Sequence, residues 1–299
     1  MIEYPRKHHF IPAFYLKNWA IDDGYLIEYS RPYHEIRPHR RHPNASAYQR
    51  DLYSFNELPS DIAQQLESNF LKPTDSIADV VLKRMLAGDL NIYEPELRNA
   101  WSRFLISLQL RHPDAIADLR VDIPRILAEN QEQLEASYRQ IRKPADPVTY
   151  SEYVRGLDPL AWTRIHLYTL QATLDSKLGG QRLNNLNWGT LGVGNAACPL
   201  LTSDWPVCFN ADGKGIVLFP LSPQIIFAAA PDNNIIRGLS RRRPDELVTI
   251  MNSYVVSHAR RYVFASDERQ TRFIEIQMST RMRPRPLFPL AGKGFGQNE

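Results

Sequence analysis

Cysteine is scarce in this chain, which contains only Cys198 and Cys208 among its 299 residues. Two cysteines do not make the disulfide framework on which small secreted domains depend, so a reducing compartment is favoured. A charged-then-apolar leader is also lacking, and the most apolar window, residues 215–231, is interrupted by Pro220, Pro223 and polar neighbours. The sequence therefore predicts neither export nor a membrane span, and the expected location is the cytoplasm.

Glycine-rich phosphate-binding motifs are absent as well. Gly192-Val193-Gly194 lacks the third glycine and the following helix of a Rossmann fingerprint, and no phosphate loop or nucleophile elbow occurs. Ser203 and Asp204 are adjacent on one predicted turn, where such a pair rarely supplies the nucleophile and the orienting acid of one triad. The usual dinucleotide, nucleoside-triphosphate and Ser-His-Asp chemistries are therefore disfavoured.

The net charge is a modest +3, but the charges are distributed unevenly. Residues 237–285 contain eleven arginines and five acids, whereas residues 58–236 contain sixteen cations and twenty acids. Clustered arginines bind phosphates with bidentate geometry and counterion release, so this asymmetry favours an anionic partner. Arg241, Arg242 and Arg243 are candidate ligand contacts, although such a run also fits a solvated loop.

A second basic segment, residues 31–43, has three prolines, four arginines and three histidines and so cannot be helical. His34, His39 and His42 have a spacing that would suit zinc. No cysteine accompanies them, however, and the neighbouring arginines would repel a cation. A phosphate-facing or exposed loop is favoured, with Arg40 as a further candidate for binding substrate.

Strand-like and helix-like segments are segregated along the chain. Strand patterns occupy residues 1–57 and 181–281, and the second of these segments also contains one helix, predicted from Pro244 to about His258. Helical periodicity runs through residues 58–180, and residues 282–299 read as a loosely ordered tail. The predicted fold is a single α+β domain spanning residues 1–299. Its N- and C-terminal strands share one mainly antiparallel sheet, which encloses the large helical middle segment.

Prolines mark the expected helix boundaries in the middle segment. Pro73 is predicted to break the first helix, so that Thr74 caps the next one. Pro95 is predicted to begin a helix that ends at His112-Pro113, and an irregularity is expected at Pro124 in the helical region that follows.

Two adjacent imidazoles, His8 and His9, follow two cations and precede the apolar segment 10–16. Neighbouring side chains project about 100° apart on a helix and to opposite faces of a strand, so the pair does not easily chelate one ion. One imidazole would then be a metal ligand or orienting group and the other a general base. The alternative is one histidine hydrogen-bonded in the core beside a solvated neighbour.

Several motifs, in a fixed order, carry a family resemblance. They are His8-His9-Phe10-Ile11-Pro12 with Phe14-Tyr15-Leu16, Asp51-Leu52-Tyr53-Ser54, Leu66-Glu67, Leu108-Gln109-Leu110-Arg111, Leu201-Thr202-Ser203-Asp204-Trp205-Pro206-Val207 and Phe219-Pro220-Leu221-Ser222-Pro223. With them the chain resembles, over most of its length, the uncharacterised family called domain of unknown function 4238. The resemblance implies an architecture and a candidate site rather than a reaction. One departure is that Asp75 stands where a second glutamate is expected after Glu67.

The candidate site combines these motifs. Asp204 lies in a predicted tight turn, where it either bonds the backbone amides just after it or reaches His8 or His9. In the second case His9 and Asp204 would hold a divalent ion such as Mg²⁺, Mn²⁺ or Zn²⁺. Glu67 and Arg111 are expected to point into the same cleft, and a plain ion pair is the alternative.

Two functions from different classes fit this site. The first is a metal-dependent phosphodiesterase or nuclease, in which a histidine is the base and Arg111 neutralises the phosphate. The His-His-x-x-Pro motif faintly resembles the opening of HNH-type nucleases, whose Cys-x-x-Cys knuckle and Asn-then-His pair are missing here. The second is a non-catalytic protein that binds nucleic acid or a nucleotide through its arginines and aromatic residues, namely Tyr33, Tyr48, Tyr53 and Trp205. The oligomeric state is left open.

Overall fold

The computed structural model describes residues 6–32, 35–53, 66–92, 94–156, 159–175, 177–209 and 215–278. The chain forms two compact units, each assembled from separate stretches of sequence. Unit 1 comprises Met1–Pro12, Ala47–Arg84 and Asn91–Asn184, and unit 2 comprises Ala13–Ser46, Met85–Leu90 and Asn185–Glu299. The predicted tail, residues 282–299, lies outside the described residues, as do Tyr33 and His34.

The described residues form ten strands and eleven α-helices. The strands are β1 (Lys7–His9), β2 (Leu26–Ser30), β3 (Arg37–Arg41), β4 (Tyr48–Arg50), β5 (Asn187–Gly192), β6 (Thr202–Ser203), β7 (Cys208–Phe209), β8 (Val217–Ser222), β9 (Ile225–Ala230) and β10 (Tyr262–Ala265). The α-helices are α1 (Ala13–Leu16), α2 (Lys72–Leu86), α3 (Pro95–Leu110), α4 (Pro113–Glu129), α5 (Gln131–Ile141), α6 (Tyr150–Arg155), α7 (Pro159–Leu174), α8 (Lys177–Asn184), α9 (Asn233–Ser240), α10 (Pro244–His258) and α11 (Thr271–Gln277). Among these helices, none combines the length and apolar character needed to cross a membrane.

Unit 1 is mainly helical, and α3 lies at its centre. The helix buries Trp101, Phe104, Leu105 and Leu108, whose spacing places them on one face, and it packs against α7 and α8. The sequence-based boundaries of this helix are confirmed. Its last residues lead directly to Arg111, a member of the site described below.

Two helix boundaries differ from the sequence-based expectation. Pro73 does not break a helix, because a π-helical turn over Leu66–Leu71 continues directly into α2 with Pro73 in the first α-helical turn, where proline is tolerated. Thr74 therefore lies inside α2 and does not cap it. Pro124 lies within α4, and the irregularity falls at Asn130, whose backbone leaves helical angles between α4 and α5.

Unit 2 contains two antiparallel sheets, with strand orders β3-β2-β10-β6 and β5-β9-β8-β7. In the first sheet the N-terminal strand β2 pairs with the C-terminal strand β10, so that Ser30 lies opposite Tyr262 and Ile27 opposite Ala265. The protein is thus α+β, and strands from both ends of the sequence share one sheet. The remaining C-terminal strands form the second sheet, and β1 pairs with β4 in a separate ribbon of unit 1.

The core of unit 2 is built from strands of both sheets and from α10. Leu247, Met251 and Val255 lie on one face of this helix and are buried against the strands. Such burial contributes about 1.5–3 kcal/mol per large apolar side chain, which explains why the α10 boundaries could be read from periodicity alone.

Candidate functional site

The β1–β4 ribbon places the two histidines on opposite faces. His8 lies opposite Gln49 and His9 opposite Tyr48 in its antiparallel register. Because neighbouring side chains of a strand alternate, His8 is fully buried, whereas His9 packs beside the Tyr48 ring with 5.6 Å between the ring centroids. The two imidazoles therefore have different surroundings.

His8 is fixed by Tyr53. The Tyr53 backbone N–H donates to His8 Nδ1 over 3.1 Å, and the two rings stack with centroids 5.3 Å apart and planes 6° from parallel. A backbone N–H can only donate, so His8 Nδ1 is unprotonated and the neutral ring carries its hydrogen on Nε2. To act as a general base through Nδ1, His8 would have to lose this hydrogen bond. The bond therefore fits the alternative of a histidine hydrogen-bonded in the core.

Tyr53 also connects the ribbon to the end of α3. Its hydroxyl donates to the Arg111 carbonyl oxygen over 3.0 Å, and burial raises the pKa of Tyr53 well above its usual value, so the hydroxyl keeps its proton. The Tyr53 ring is only 1% exposed and already stacks on His8, so its predicted contact with a nucleobase stays a prediction.

The guanidinium of Arg111 is fully buried but only partly paired. Its Nη1 donates to both carboxylate oxygens of Asp75, over 3.0 and 3.1 Å, and the Asp75 side chain is 22% exposed. Within the described part of the chain, Arg111 Nε and Nη2 are buried with no hydrogen-bond partner. Each orphaned donor costs about 1–3 kcal/mol. Nε and Nη2 form one edge of the guanidinium, with which arginine grips a carboxylate or phosphate through two parallel bonds.

Glu67, on the π-helical turn, lies within electrostatic reach of this pair. Burial raises the pKa of Glu67 from 4.5 to about 7, and the negative charge of Asp75 adds to the rise, whereas Arg111 and Lys72 oppose it. A carboxyl group with this pKa is present in both protonation states near neutral pH, so it can accept or donate a proton. Turns of this type are rare and frequently occur at functional sites.

The structure thus brings together Glu67 and Arg111, as expected from the sequence, and adds Asp75 to them. Asp75, which stands in place of a second glutamate, is the ion-pair partner of Arg111. The available signal was its position about two helical turns after Glu67, which favours one helix face. No comparable signal indicated that Tyr53 would anchor both His8 and Arg111.

We expect Glu67→Gln to exceed wild type in unfolding free energy by roughly 2 kcal/mol at pH 8, with a much smaller difference at pH 4. The pKa of Glu67 in the folded protein, about 7, lies above its ordinary value of 4.5, so the folded state binds the proton more tightly. Stability from the protonated group is complete below pH 4.5 and is lost as the pH rises through 7. Partial exposure of Glu67 to solvent screens its charge, so the expected difference is smaller than the full pKa shift would give. Urea unfolding at both pH values measures it.

Glu132→Gln, on an exposed position of α5, is the matched control for this pH dependence. It removes one carboxylate without removing a buried charge, so its effect should be small at both pH values. Equal effects of Glu67→Gln at pH 4 and pH 8 would contradict the raised pKa.

Asp204 lies in unit 2, just after β6, and is fully buried. Its Oδ1 accepts the backbone N–H of Arg260 over 2.8 Å, and its Oδ2 accepts those of Arg261 and Tyr262 over 2.7 and 3.2 Å. These amides lead into β10 and are far from Asp204 in sequence. A local turn bond is made by Ser203, whose Oγ accepts the Trp205 N–H over 3.1 Å. The sequence predicted that Asp204 bonds the amides just after it, and the three bonds above join it to amides of a distant segment.

His9 and Asp204, the predicted metal ligands, belong to different units. Their meeting around Mg²⁺, Mn²⁺ or Zn²⁺ stays a prediction. Over the described ranges, no group of three or more His, Cys, Asp or Glu side chains is arranged to hold a metal ion.

Arg40 and Trp205, predicted to bind substrate, also lie in unit 2. Arg40 pairs with Asp23 and has its guanidinium 5.3 Å from the centre of the Tyr25 ring. The Trp205 ring lies 5.2 Å from the Arg260 guanidinium. Both side chains therefore already have local partners, and their contact with a ligand stays a prediction.

The arginine run connects α9 to α10. Arg241 follows the last residue of α9, and Arg243 precedes Pro244 and pairs with Glu246 over 3.0 Å. Arg241, Arg242 and Arg243 are exposed, as a solvated loop requires. A role for them in binding an anion stays a prediction.

The fold and the buried cluster define an α+β protein with a partly unpaired arginine in its helical unit. The motifs around His8, Glu67, Arg111 and Asp204 are distributed over both units, and a family model described as "Protein of unknown function (DUF4238)" matches residues 7–269. The chain belongs to this family. No curated protein and no solved structure matches it.

Proposed function

We propose that the protein hydrolyses phosphodiester bonds at the cluster formed by Glu67, Asp75 and Arg111. The observation that carries the proposal is the unpaired Nε/Nη2 edge of a fully buried Arg111 beside a carboxyl group whose pKa is about 7. A phosphodiester offers two non-bridging oxygens and one negative charge, which match two parallel N–H donors and one cation. The excess of arginines in residues 237–285 also favours a phosphate-bearing substrate.

The proposed chemistry uses each group in one role. Arg111 holds the non-bridging oxygens and neutralises the charge that develops on them, while Asp75 keeps the guanidinium in place. The ionised Glu67 takes a proton from water, whose oxygen forms the new bond to phosphorus. The bond from phosphorus to the leaving oxygen breaks, and this oxygen takes up the proton that Glu67 removed from water, which returns Glu67 to its ionised form. The predicted divalent ion at His9 and Asp204 is a separate part of the proposal, and no step above requires it.

The test is hydrolysis of bis(4-nitrophenyl) phosphate and of single- and double-stranded DNA and RNA, with Mg²⁺, Mn²⁺ or EDTA. We expect turnover by wild type that rises with pH through about 7, as Glu67 becomes ionised. Glu67→Gln and Arg111→Lys should each lower kcat/KM by about 100-fold. The lysine keeps a positive charge near Asp75 but lacks the two parallel donors.

Glu132→Gln and Arg125→Lys, both at exposed positions, are the matched controls and should retain wild-type rates. A second readout is the thermal midpoint measured with inorganic phosphate. Phosphate bound at the Arg111 edge should raise the midpoint of wild type, and Arg111→Lys should abolish this increase. A folded wild type that is inert on all substrates but still stabilised by phosphate would contradict catalysis. That result would favour the alternative, a non-catalytic protein that binds a phosphate-bearing ligand. No turnover and no phosphate effect would overturn the site itself.

A further inference from the structure

The outer face of the β1–β4 ribbon has an unfavourable charge arrangement. Lys7 lies directly opposite Arg50, and both side chains are exposed on the face that also carries His9 and Tyr48. Like charges directly opposite each other on a sheet are destabilising, and isolated two-stranded ribbons are marginally stable. The ribbon thus carries a repulsive pair, which a bound anion would relieve.

The acid that directly follows β4 leaves this repulsion largely in place. Asp51 follows β4, and both its oxygens accept hydrogen bonds from Arg6 Nε, over 3.2 and 3.1 Å. The hydrogen bond from Arg6 is the largest cause that lowers the pKa of Asp51, and Arg50 contributes a smaller charge effect. Since Arg6 and Asp51 pair with each other, the described residues leave the net positive charge of Lys7 and Arg50 on the outer face.

An aromatic ring is part of the same face. The Tyr48 side chain is half-buried, with the Lys7 ammonium 4.8 Å from the centre of its ring and the His9 ring beside it. Cations interleaved with an aromatic ring fit a chain of alternating phosphates and bases, because each base has a face that stacks. An acidic peptide would satisfy the cations but would leave the ring without a comparable partner.

The inner face of the ribbon is connected to the proposed catalytic cluster. His8 accepts the Tyr53 N–H, and the Tyr53 hydroxyl donates to the Arg111 carbonyl oxygen, so both belong to one packed region of unit 1. A strand of substrate bound along the outer face would therefore be held by the same short ribbon that helps to fix Arg111.

We infer that the outer face of the ribbon binds single-stranded polynucleotide, with Lys7 and Arg50 on phosphates and Tyr48 against a base. This inference rests on the proposed function, whose substrate class it names. Single strands are specified because a base must expose its face in order to stack on Tyr48, whereas duplex bases are already stacked. Arg241, Arg242 and Arg243, predicted from the sequence to bind substrate, belong to unit 2, whereas the ribbon belongs to unit 1.

The experiment measures binding of a fluorescein-labelled single-stranded oligonucleotide by anisotropy at several salt concentrations. The double variant Lys7→Ala/Arg50→Ala should bind at least tenfold more weakly. It should also lower the log–log salt slope by about 1.4, because each phosphate that a cation neutralises on a single strand adds about 0.7 to that slope. Tyr48→Leu should weaken binding about tenfold with an unchanged slope, because the loss of a stacking ring removes no charge. Thermal melts of both variants check that they are folded.

Arg237→Ala/Arg272→Ala removes the same two charges from exposed positions of unit 2 and is the matched control. An equal loss of affinity in this control, or in the triple alanine variant of residues 241–243, would assign binding to general charge and overturn the inference. Competition by duplex DNA or polyglutamate as strong as by unlabelled single strands would do the same. The inference would also be overturned if wild type did not bind the oligonucleotide, or if it bound with an affinity that did not change with salt concentration.

The two proposals fail separately. Glu67→Gln should bind the oligonucleotide as wild type does, since binding on the ribbon does not use the proton-transfer group. If wild type hydrolyses bis(4-nitrophenyl) phosphate while the ribbon variants bind oligonucleotide normally, the ribbon inference is wrong and the catalytic proposal stands. If no phosphodiester is cleaved but the ribbon variants lose binding, the catalytic proposal is wrong and the ribbon inference stands.

Discussion

Arg111→Ala should lower the free energy of unfolding by about 3–5 kcal/mol, the range for removing one partner of a buried ion pair. The substitution leaves the Asp75 carboxylate without its cation, close to Glu67, whose pKa is already raised by burial. For a chain of this length we expect the thermal midpoint to fall by roughly 6–10 °C. Urea unfolding monitored by circular dichroism measures the effect.

The control for this prediction is Arg125→Ala. Arg125 pairs with Asp122 and Glu129 on the exposed surface of α4, where an ion pair contributes about 0–1 kcal/mol. In the double variant Arg111→Ala/Asp75→Asn, part of the lost stability should return, because the uncompensated charge is removed. A loss of under about 1 kcal/mol in Arg111→Ala would mean that the buried pair is not what holds this end of α3.

Asp204→Asn should cost about 3 kcal/mol although it changes the side chain by a single group. The carboxylate accepts three backbone N–H groups, and hydrogen bonds to a charged acceptor contribute about 1.5–3 kcal/mol each. An amide nitrogen can only donate, so at least one of the amides of Arg260, Arg261 and Tyr262 would face another donor. Thermal and urea unfolding check this expectation.

Asp232→Asn is the matched control for that substitution. Asp232 precedes α9 and accepts the Asn234 N–H over 2.8 Å at an exposed N-cap, where asparagine and aspartate are nearly equivalent. Its effect should stay within about 0.5 kcal/mol. An Asp204→Asn variant that is as stable as wild type, yet inactive in the phosphodiesterase assays, would instead support the catalytic role predicted from the sequence.

The sequence was most informative where one interaction dominates. The apolar stripes of α3 and α10 were sufficient to predict both helices. Large apolar residues such as Trp101 and Met251 are buried on a single face of each helix, which gives the sequence its helical period. Pro73 was misinterpreted because a proline is compatible with either a helix break or a first turn. Its sequence surroundings show no sign of the π-helical turn that precedes it.

The candidate site could be predicted only in part for a similar reason. The motifs pointed to Glu67 and Arg111, but the hydrogen bonds that define their surroundings join distant segments. Asp204 bonds amides that lead into β10, and Tyr53 bonds the carbonyl of Arg111. Side-chain bonds to backbone groups carry no pattern of residue types, so periodicity and spacing cannot reveal them.

The interleaving of the two units along the chain has a consequence for biosynthesis. Strand β2 ends at Ser30, yet its partner β10 begins at Tyr262, and unit 1 is completed only at Asn184. A ribosome adds roughly 5–20 residues per second, so β2 and β3 wait for tens of seconds before their sheet can be completed. During that interval the apolar side of β2 has no partner from β10, and the nascent protein should depend on chaperones more than its finished form does.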